Sequence, residues 1–159
     1  MDPLLTLLQH DALASRADLA AQLDLSPEEV ARRIAAYEAE GVILGYQTII
    51  DSEKLGDQFV TAVIEVKVTP ERDGGFDRLA HRVSKFSQVT SCYLMSGGYD
   101  LLVFIEGKSL REVATFVSEK LSTLEGVIST ATRFRLKAYK ENGVLLARPE
   151  GTARLAVSP

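Results

Sequence analysis

Two stretches of the chain carry groups whose types and spacing could do chemistry. The first is Ser96-Gly97-Gly98-Tyr99-Asp100, set between an apolar run ending at Met95 and another beginning at Leu101. A Gly-Gly pair between two strand-like runs predicts a tight turn, because glycine adopts backbone angles closed to other residues. Bare amides on such a turn suit an anion, and Tyr99 and Asp100 stand at its mouth. The turn is therefore a candidate seat for a small ligand, against the simpler alternative of a hairpin that only needs two glycines. The second stretch is Ser26-Pro27-Glu28-Glu29 with Arg32 and Arg33 just beyond it. Its residue types are those of a helix start followed by two cations that could meet phosphates.

Other chemistries find no residues here. His10 and His81 are far apart and lack ligand partners at metal-binding spacing. His81 is expected at a helix surface. Cys92 falls inside a strand-like run and reads as a buried thiol rather than a nucleophile. No Gly-Lys phosphate loop and no GxGxxG is present. No catalytic residue, metal or cofactor is expected, and the chain reads as a non-enzyme.

The elements that must position these residues fit within 159 residues, enough for one full domain or two small ones. Apolar residues make up 46% and charged residues 25%, which is ordinary for a water-soluble fold. One cysteine excludes an internal disulfide framework and suits a reducing compartment. No apolar run approaches the roughly 20 residues of a membrane span. A cytoplasmic protein with no membrane partner is expected. The net charge of −4 is uneven: residues 1–58 hold four bases against eleven acids, a balance of −7, which leaves +3 for the rest. An acidic N-terminal part is a poor electrostatic footprint for nucleic acid.

In that part, Asp2-Pro3 opens a short helix carrying Leu4, Leu5, Leu7 and Leu8. Ser15, with Asp18 three residues on, opens a second helix. Ser26 caps a third, with Pro27 at its first position and Glu28 and Glu29 at its positive end. Val30, Ile34 and Tyr37 share the inner face of this helix. Glu28, Arg32, Ala35 and Ala36 lie opposite, with Glu29 and Arg33 at the edges. Residues 42–46 and 48–51 then read as two short strands. Three helices and a β-ribbon make a winged helix-turn-helix, whose third helix can enter a major groove. A small helical cap used for dimerisation fits the local pattern equally.

From residue 59 the pattern changes. Val60, Ala62, Ile64, Val66 and Val68 alternate strictly and predict a strand. Phe76, Leu79, Ala80, Val83 and Phe86 keep helical spacing. Residues 89–95 and 100–106 are two further strands. Ser109 opens a helix bearing Leu110, Val113, Ala114, Val117 and Leu121, with Glu112 in the capping-box position. Residues 127–139 read as one long strand with Ile128, Thr130, Thr132, Phe134, Leu136 and Ala138 on one face. The order β-α-β-β-α-β is that of a ferredoxin-like α+β sandwich. One face of its sheet lacks a cover, and self-association supplies one. Expected boundaries are 1–51 for the winged helix-turn-helix, 52–58 for a linker, 59–140 for the sandwich and 141–159 for a polar tail. Asn142-Gly143 and Pro149-Glu150-Gly151 mark turns in that tail.

Three stretches together resemble the Lrp/AsnC, or feast/famine, family of transcription regulators. They are Leu25-Ser26-Pro27-Glu28-Glu29-Val30-Ala31-Arg32-Arg33-Ile34 with Glu40-Gly41-Val42-Ile43-Leu44-Gly45-Tyr46, then Ile64-Glu65-Val66-Lys67-Val68, then Tyr93-Leu94-Met95-Ser96-Gly97-Gly98-Tyr99-Asp100. The resemblance covers residue 2 to about 140. It implies a DNA-binding regulator of promoters that dimerises through its C-terminal sheet and assembles to octamers. It also implies that an amino acid or related metabolite binds between subunits near Ser96 to Asp100 and shifts assembly or DNA affinity. In such a site the Gly97 and Gly98 amides would take a carboxylate, Asp100 an ammonium group, and Tyr99 a side chain. Thr130 and Thr132 would supply hydroxyls.

The chain departs from the family pattern where the third helix begins. Many members have small, polar or basic residues at the positions of Glu28 and Glu29, and carboxylates repel phosphates. The bases assigned to duplex DNA are Arg32 and Arg33, with Ser26 as a phosphate donor. Arg33 has a competing internal role with Glu29 or Glu40. Glutamate can accept from cytosine N4, so base reading by Glu28 or Glu29 stays open. Two other readings stand beside the regulator: a metabolite-sensing assembly that has lost DNA binding, and an enzyme like the sirohaem decarboxylases.

Overall fold

In the computed structural model, which describes residues 1–56, 59–70 and 75–146, the helix starts are where the capping residues place them. Helix α1 (Pro3–His10) begins where the Asp2 carboxylate accepts the Leu4 amide at 2.8 Å. The Ser15 hydroxyl accepts the Asp18 amide at 3.1 Å and opens α2 (Arg16–Leu23). The Ser26 hydroxyl accepts the Glu29 amide at 3.2 Å and opens α3 (Pro27–Ala39). Each cap satisfies an amide that has no partner inside its helix.

The three helices close on a small core of Leu4, Leu8, Leu19, Ala20 and Val30, with Ile34 and Tyr37 packed against it. Each large apolar side chain removed from water contributes about 1.5–3 kcal/mol, so so few residues need help. The Tyr37 hydroxyl gives it, donating to the Asp2 carboxylate and tying α3 to the cap of α1.

The expected β-ribbon does not form. Residues 43–51 carry no strand, and Leu44 to Ile50 make no backbone hydrogen bond among the described residues. Only Gln47 separates the two apolar runs, fewer than the two residues of the tightest hairpin connection. They are one extended stretch. It leaves Leu44 92% exposed and walls an open groove of about 690 Å³ with Leu5, Leu8 and Leu13.

By chain contacts the protein divides into two compact units, Met1–Ile49 and the part from Ile50 onward. The second opens with the short helix α4 (Ser52–Leu55). It continues as β1 (Val60–Val68), α5 (Asp77–Ser84), β2 (Val89–Leu94), β3 (Leu101–Gly107), α6 (Leu110–Thr115), a π-helical turn (Phe116–Leu121) and β4 (Val127–Phe134). The sheet is antiparallel in the order β2-β3-β1-β4. Ala62, Ile64 and Val66 stand opposite Ile105, Val103 and Leu101, all buried with Leu79, Val83, Val113, Phe116 and Leu121 from the helical layer.

Two expectations shift here. Leu110 is 58% exposed, Ala114 is exposed, and Phe116 is buried instead. The wider turn of the π segment puts Leu121 five residues after Phe116 on the core side, where an α-helix would put Lys120. The last strand ends at Phe134 rather than Tyr139. Beyond the bond from the Arg135 amide to the Thr61 carbonyl, 2.9 Å, only Val60 of β1 remains, so Lys137 to Tyr139 have no strand to pair with. The chain then turns through Asn142 and Gly143, both at positive φ, in a hairpin of β5 (Lys140–Glu141) and β6 (Val144–Leu145). The Pro149-Glu150-Gly151 turn lies outside the described residues, as do 57–58 of the expected linker. No helix among the described residues is long and apolar enough to cross a membrane.

Candidate ligand turn and nucleic-acid helix

The turn between β2 and β3 is closed by the Met95 amide on the Asp100 carbonyl at 2.8 Å. It is then pinned to β1 twice. The Asp100 amide donates to the Val66 carbonyl at 3.0 Å, and the Asp100 carboxylate accepts the Val68 amide through Oδ2 at 2.8 Å. One carboxylate oxygen is thus spent on the fold and the other has no partner among the described residues.

The amides of Ser96, Gly97, Gly98 and Tyr99 have no acceptor among the described residues either. Four N–H groups without a protein acceptor on one short turn are left open to water or to an anion. Gly97 has φ +128, which demands glycine, whereas Gly98 has ordinary φ, and a Cβ there would meet nothing within 4 Å. Open space in front of Gly98 is what a bound group would use.

Thr130 and Thr132 do not join this turn within one chain. They stand on β4 opposite Val66 and Ile64, on the sheet face that carries the helices. Thr130 exchanges a hydrogen bond with Ser122 at 3.2 Å. The register puts β1 between β4 and β3, about 10 Å or two strand spacings across. Within the chain the turn instead approaches an ion pair that sequence reasoning missed. Arg133 donates to both oxygens of Glu65, at 3.1 and 3.0 Å, on the open face of the sheet. The Glu65 hydrogen bonds hold the Arg133 guanidinium above its ordinary pKa, and Tyr99 is near enough to act on its charge. Glu65 interrupts the apolar character of β1, which was the only signal available.

The open face continues through Val63, Leu102, Phe104 and Tyr93, with Tyr93 stacked edge-on to Phe104 at 6.0 Å. Tyr93 is 53% exposed. Cys92 points the other way, toward the helices, and burial pushes its thiol pKa up. That suits an inert thiol. His10 and His81 are both exposed, and no group of three potential metal ligands exists among the described residues.

On α3 one acid, Glu29, pairs with both bases. Arg32 donates to both Glu29 oxygens at 2.7 Å, and Arg33 donates to Glu29 Oε1 at 2.8 Å. The Arg32 bond, then that of Arg33, holds the Glu29 carboxyl below its usual range. Glu29 is therefore the counter-ion of two cations rather than a bare charge facing phosphate. Arg32 and Glu28 are fully on the outer face. Arg33 is less exposed, and Asp2 and Tyr37 act on its charge. Ser26 uses an oxygen lone pair on the Glu29 amide, so its O–H remains a donor.

Comparison with known proteins covers both units. The model of the AsnC-type helix-turn-helix domain matches residues 4–38, and that of the Lrp/AsnC ligand binding domain matches residues 61–145. The chain is 45% identical over 157 residues to the HTH-type transcriptional regulator YugG of Bacillus subtilis, covering 98% of this chain and 95% of that protein. It is 32% identical over 124 residues to the proline dehydrogenase transcriptional activator of Rhodobacter capsulatus, covering 78% and 80%. Among solved structures, it resembles the complex of the transcriptional regulator NMB0573 of Neisseria meningitidis with L-Met, at TM-score 0.69 and 25% identity over 87% of this chain and 88% of that one. An AsnC family transcriptional regulator from Agrobacterium tumefaciens gives TM-score 0.69 and 27% identity over 91% and 96%. Each of these is named as a regulator, not as an enzyme.

Proposed function

The chain belongs to the Lrp/AsnC family of transcriptional regulators, and from that premise we propose that its assembly or DNA affinity responds to an amino acid held at the turn of residues 96–100. It is a regulator and not an enzyme, so the decarboxylase reading falls away, and a module without DNA binding is not favoured. The observation that carries the effector reading is the pairing of four unpaired amides with a half-used carboxylate on one turn. An α-amino acid presents a carboxylate and an ammonium group on one carbon. The amides would take the first, the free Asp100 oxygen the second, and Tyr99 would border the side chain. That NMB0573 was solved with L-Met agrees with this class of ligand.

Residues 1–51 would serve DNA and residues 59–140 ligand and assembly. Ser26 and Arg32 would contact phosphates, Glu28 would read a base edge, and Arg33 and Glu29 would set the charge behind them. Thr130 and Thr132 would complete a ligand site only across a boundary between copies, because β1 separates them from the turn in their own chain. Two surfaces support a homodimer that builds toward an octamer: the open sheet face around Tyr93 and Phe104, and the unpaired extended backbone of residues 44–50. Such a regulator would work on DNA in the cytoplasm.

The test is fluorescence anisotropy with the DNA upstream of the protein's own gene, at several salt concentrations, with and without a pool of amino acids. A steep salt slope altered by one component of the pool is the expected result. Absence of binding at low salt would overturn the DNA half, and indifference to every amino acid would overturn the effector half.

A further inference from the structure

After the exposed Asp77 at its first position, the outer face of α5 carries a row of basic side chains. Arg78, His81, Arg82 and Lys85 recur at i, i+3, i+4 and i+7 and are all exposed, while Leu79 and Val83 of the same helix are buried in the core. The two sets point about 130° apart at 100° per residue. His81, Arg82 and Lys85 form no ion pair among the described residues. Arg78 is engaged in an interaction of its own, and the inference rests on the other three. The helix dipole favours cations in the last turn and an acid in the first, where the exposed Asp77 stands one turn before His81, but it does not call for three unpaired basic side chains in a row in a protein of net charge −4. Glu71 and Asp73, which precede the helix in sequence, lie outside the described residues.

The geometry points to this face of α5 as a second contact surface for the phosphate backbone of duplex DNA, separate from the helix-turn-helix. Positions 78 to 85 span about 10 Å of helix axis. Duplex DNA presents about six phosphate charges over that length, at one per ~1.7 Å. Residues 1–58 carry −7, and α3 offers few cations that are not already paired with Glu29. A regulator so acidic at its reading head gains phosphate contacts from elsewhere in the chain, and α5 gathers three unpaired basic side chains on one helix face. The contact is blind to sequence, so it serves DNA that extends past the recognition site. The inference rests on the DNA-binding reading above.

The test uses the full chain with Arg82→Gln and Lys85→Gln together, which keep side-chain length and helix propensity. Anisotropy is measured on a duplex of ~20 base pairs and on one of ~60 containing it, between ~50 and 200 mM salt, with light scattering to follow assembly. For the long duplex, the log–log salt slope should flatten by about 2 for each copy whose α5 is engaged, at ~0.9 per phosphate lost. The short duplex should show no change. An unchanged slope on the long duplex overturns the inference. So does an equal loss on both duplexes with a smaller assembly, which would make the face a contact for acidic surfaces of other copies. Failure of the parent protein to bind either duplex would overturn the DNA reading itself and the inference with it.

Discussion

The Asp100 carboxylate accepts the Val68 amide at 2.8 Å, across 32 residues of sequence. The residue proposed to meet an effector's ammonium group is therefore also a staple between the turn and the end of β1. The two roles separate by substitution. Asp100→Ala leaves a partly buried amide without its acceptor and should cost about 1–3 kcal/mol. Asp100→Asn keeps an oxygen for Val68 and removes the charge, so stability should stay within about 1 kcal/mol while any thermal shift by amino acids disappears. Melting curves of both variants with and without the amino-acid pool check this. A full ligand shift in Asp100→Asn would move the ammonium site elsewhere.

The two glycines of the turn should behave oppositely. Gly97 has φ +128, a conformation costing a residue with a Cβ about 1–3 kcal/mol. Gly98 has ordinary φ and empty space before it. Gly97→Ala should lower the melting temperature, whereas Gly98→Ala should leave it unchanged and weaken effector binding by filling the space that the proposed ligand would use. Equal melting temperatures for the two variants would show that the turn relaxes freely.

How much of this was legible depends on the reach of each interaction. Ser15, Ser26 and Ser109 announce helix starts because a cap acts over three residues, and each accepts the amide expected of it. The alternation from Val60 to Val68 announces a strand for the same local reason. The turn itself was legible from Gly97 and Gly98, but which of its atoms are free was not, since Val68 arrives only through sheet register. Glu65 and Arg133 meet across 68 residues, and nothing near either one names the other. Strand β4 was overextended because alternation continues through Leu136 and Ala138 while its partner β1 has already ended. The π turn escaped because Val113, Val117 and Leu121 keep ordinary α-helical spacing and so announce no wider turn, and the ribbon failed on the single residue Gln47.

Acid should loosen the N-terminal unit through Asp2. Its carboxyl is held below the ordinary 3.8, first by the Tyr37 hydroxyl and then by the Leu4 amide. A depressed folded pKa means that the stabilisation is fully present above the ordinary value and is lost as pH falls through the folded one. Tyr37→Phe removes the main cause, so its helical circular dichroism should decline at a higher pH than that of the parent protein. Identical acid midpoints would mean that the Asp2–Tyr37 contact contributes nothing in solution.

Glu29 holds two arginines, so its removal should strengthen DNA binding rather than weaken it. Glu29→Gln keeps the side-chain length and frees both guanidinium groups of their counter-ion. Affinity for unrelated duplex DNA should rise, and the salt slope should steepen by about 1–2 units. Discrimination between the gene's own upstream DNA and scrambled DNA should narrow, because the added attraction ignores sequence. Weaker binding to the gene's own upstream DNA alone would show that Glu29 accepts from a base directly, and weaker binding to both duplexes would show that Glu29 orients the arginines for the phosphates.

Arg32 and Arg33 are adjacent in sequence and should be unequal in function. Arg32 stands on the outer face with its side chain 73% exposed, while that of Arg33 is 40% exposed and lies under the influence of Asp2 and Tyr37. Exchanging Glu29 for a phosphate oxygen costs Arg32 little, since both partners are charged acceptors at an exposed site. Arg33 would have to leave the α1 side of the unit to do the same. Arg32→Ala should therefore flatten the salt slope by about 1 for each bound copy, with little change in melting temperature. Arg33→Ala should lower the melting temperature of the N-terminal unit and change the slope less. Equal slope losses from the two substitutions would place both guanidinium groups on the DNA and return Arg33 to the contact surface.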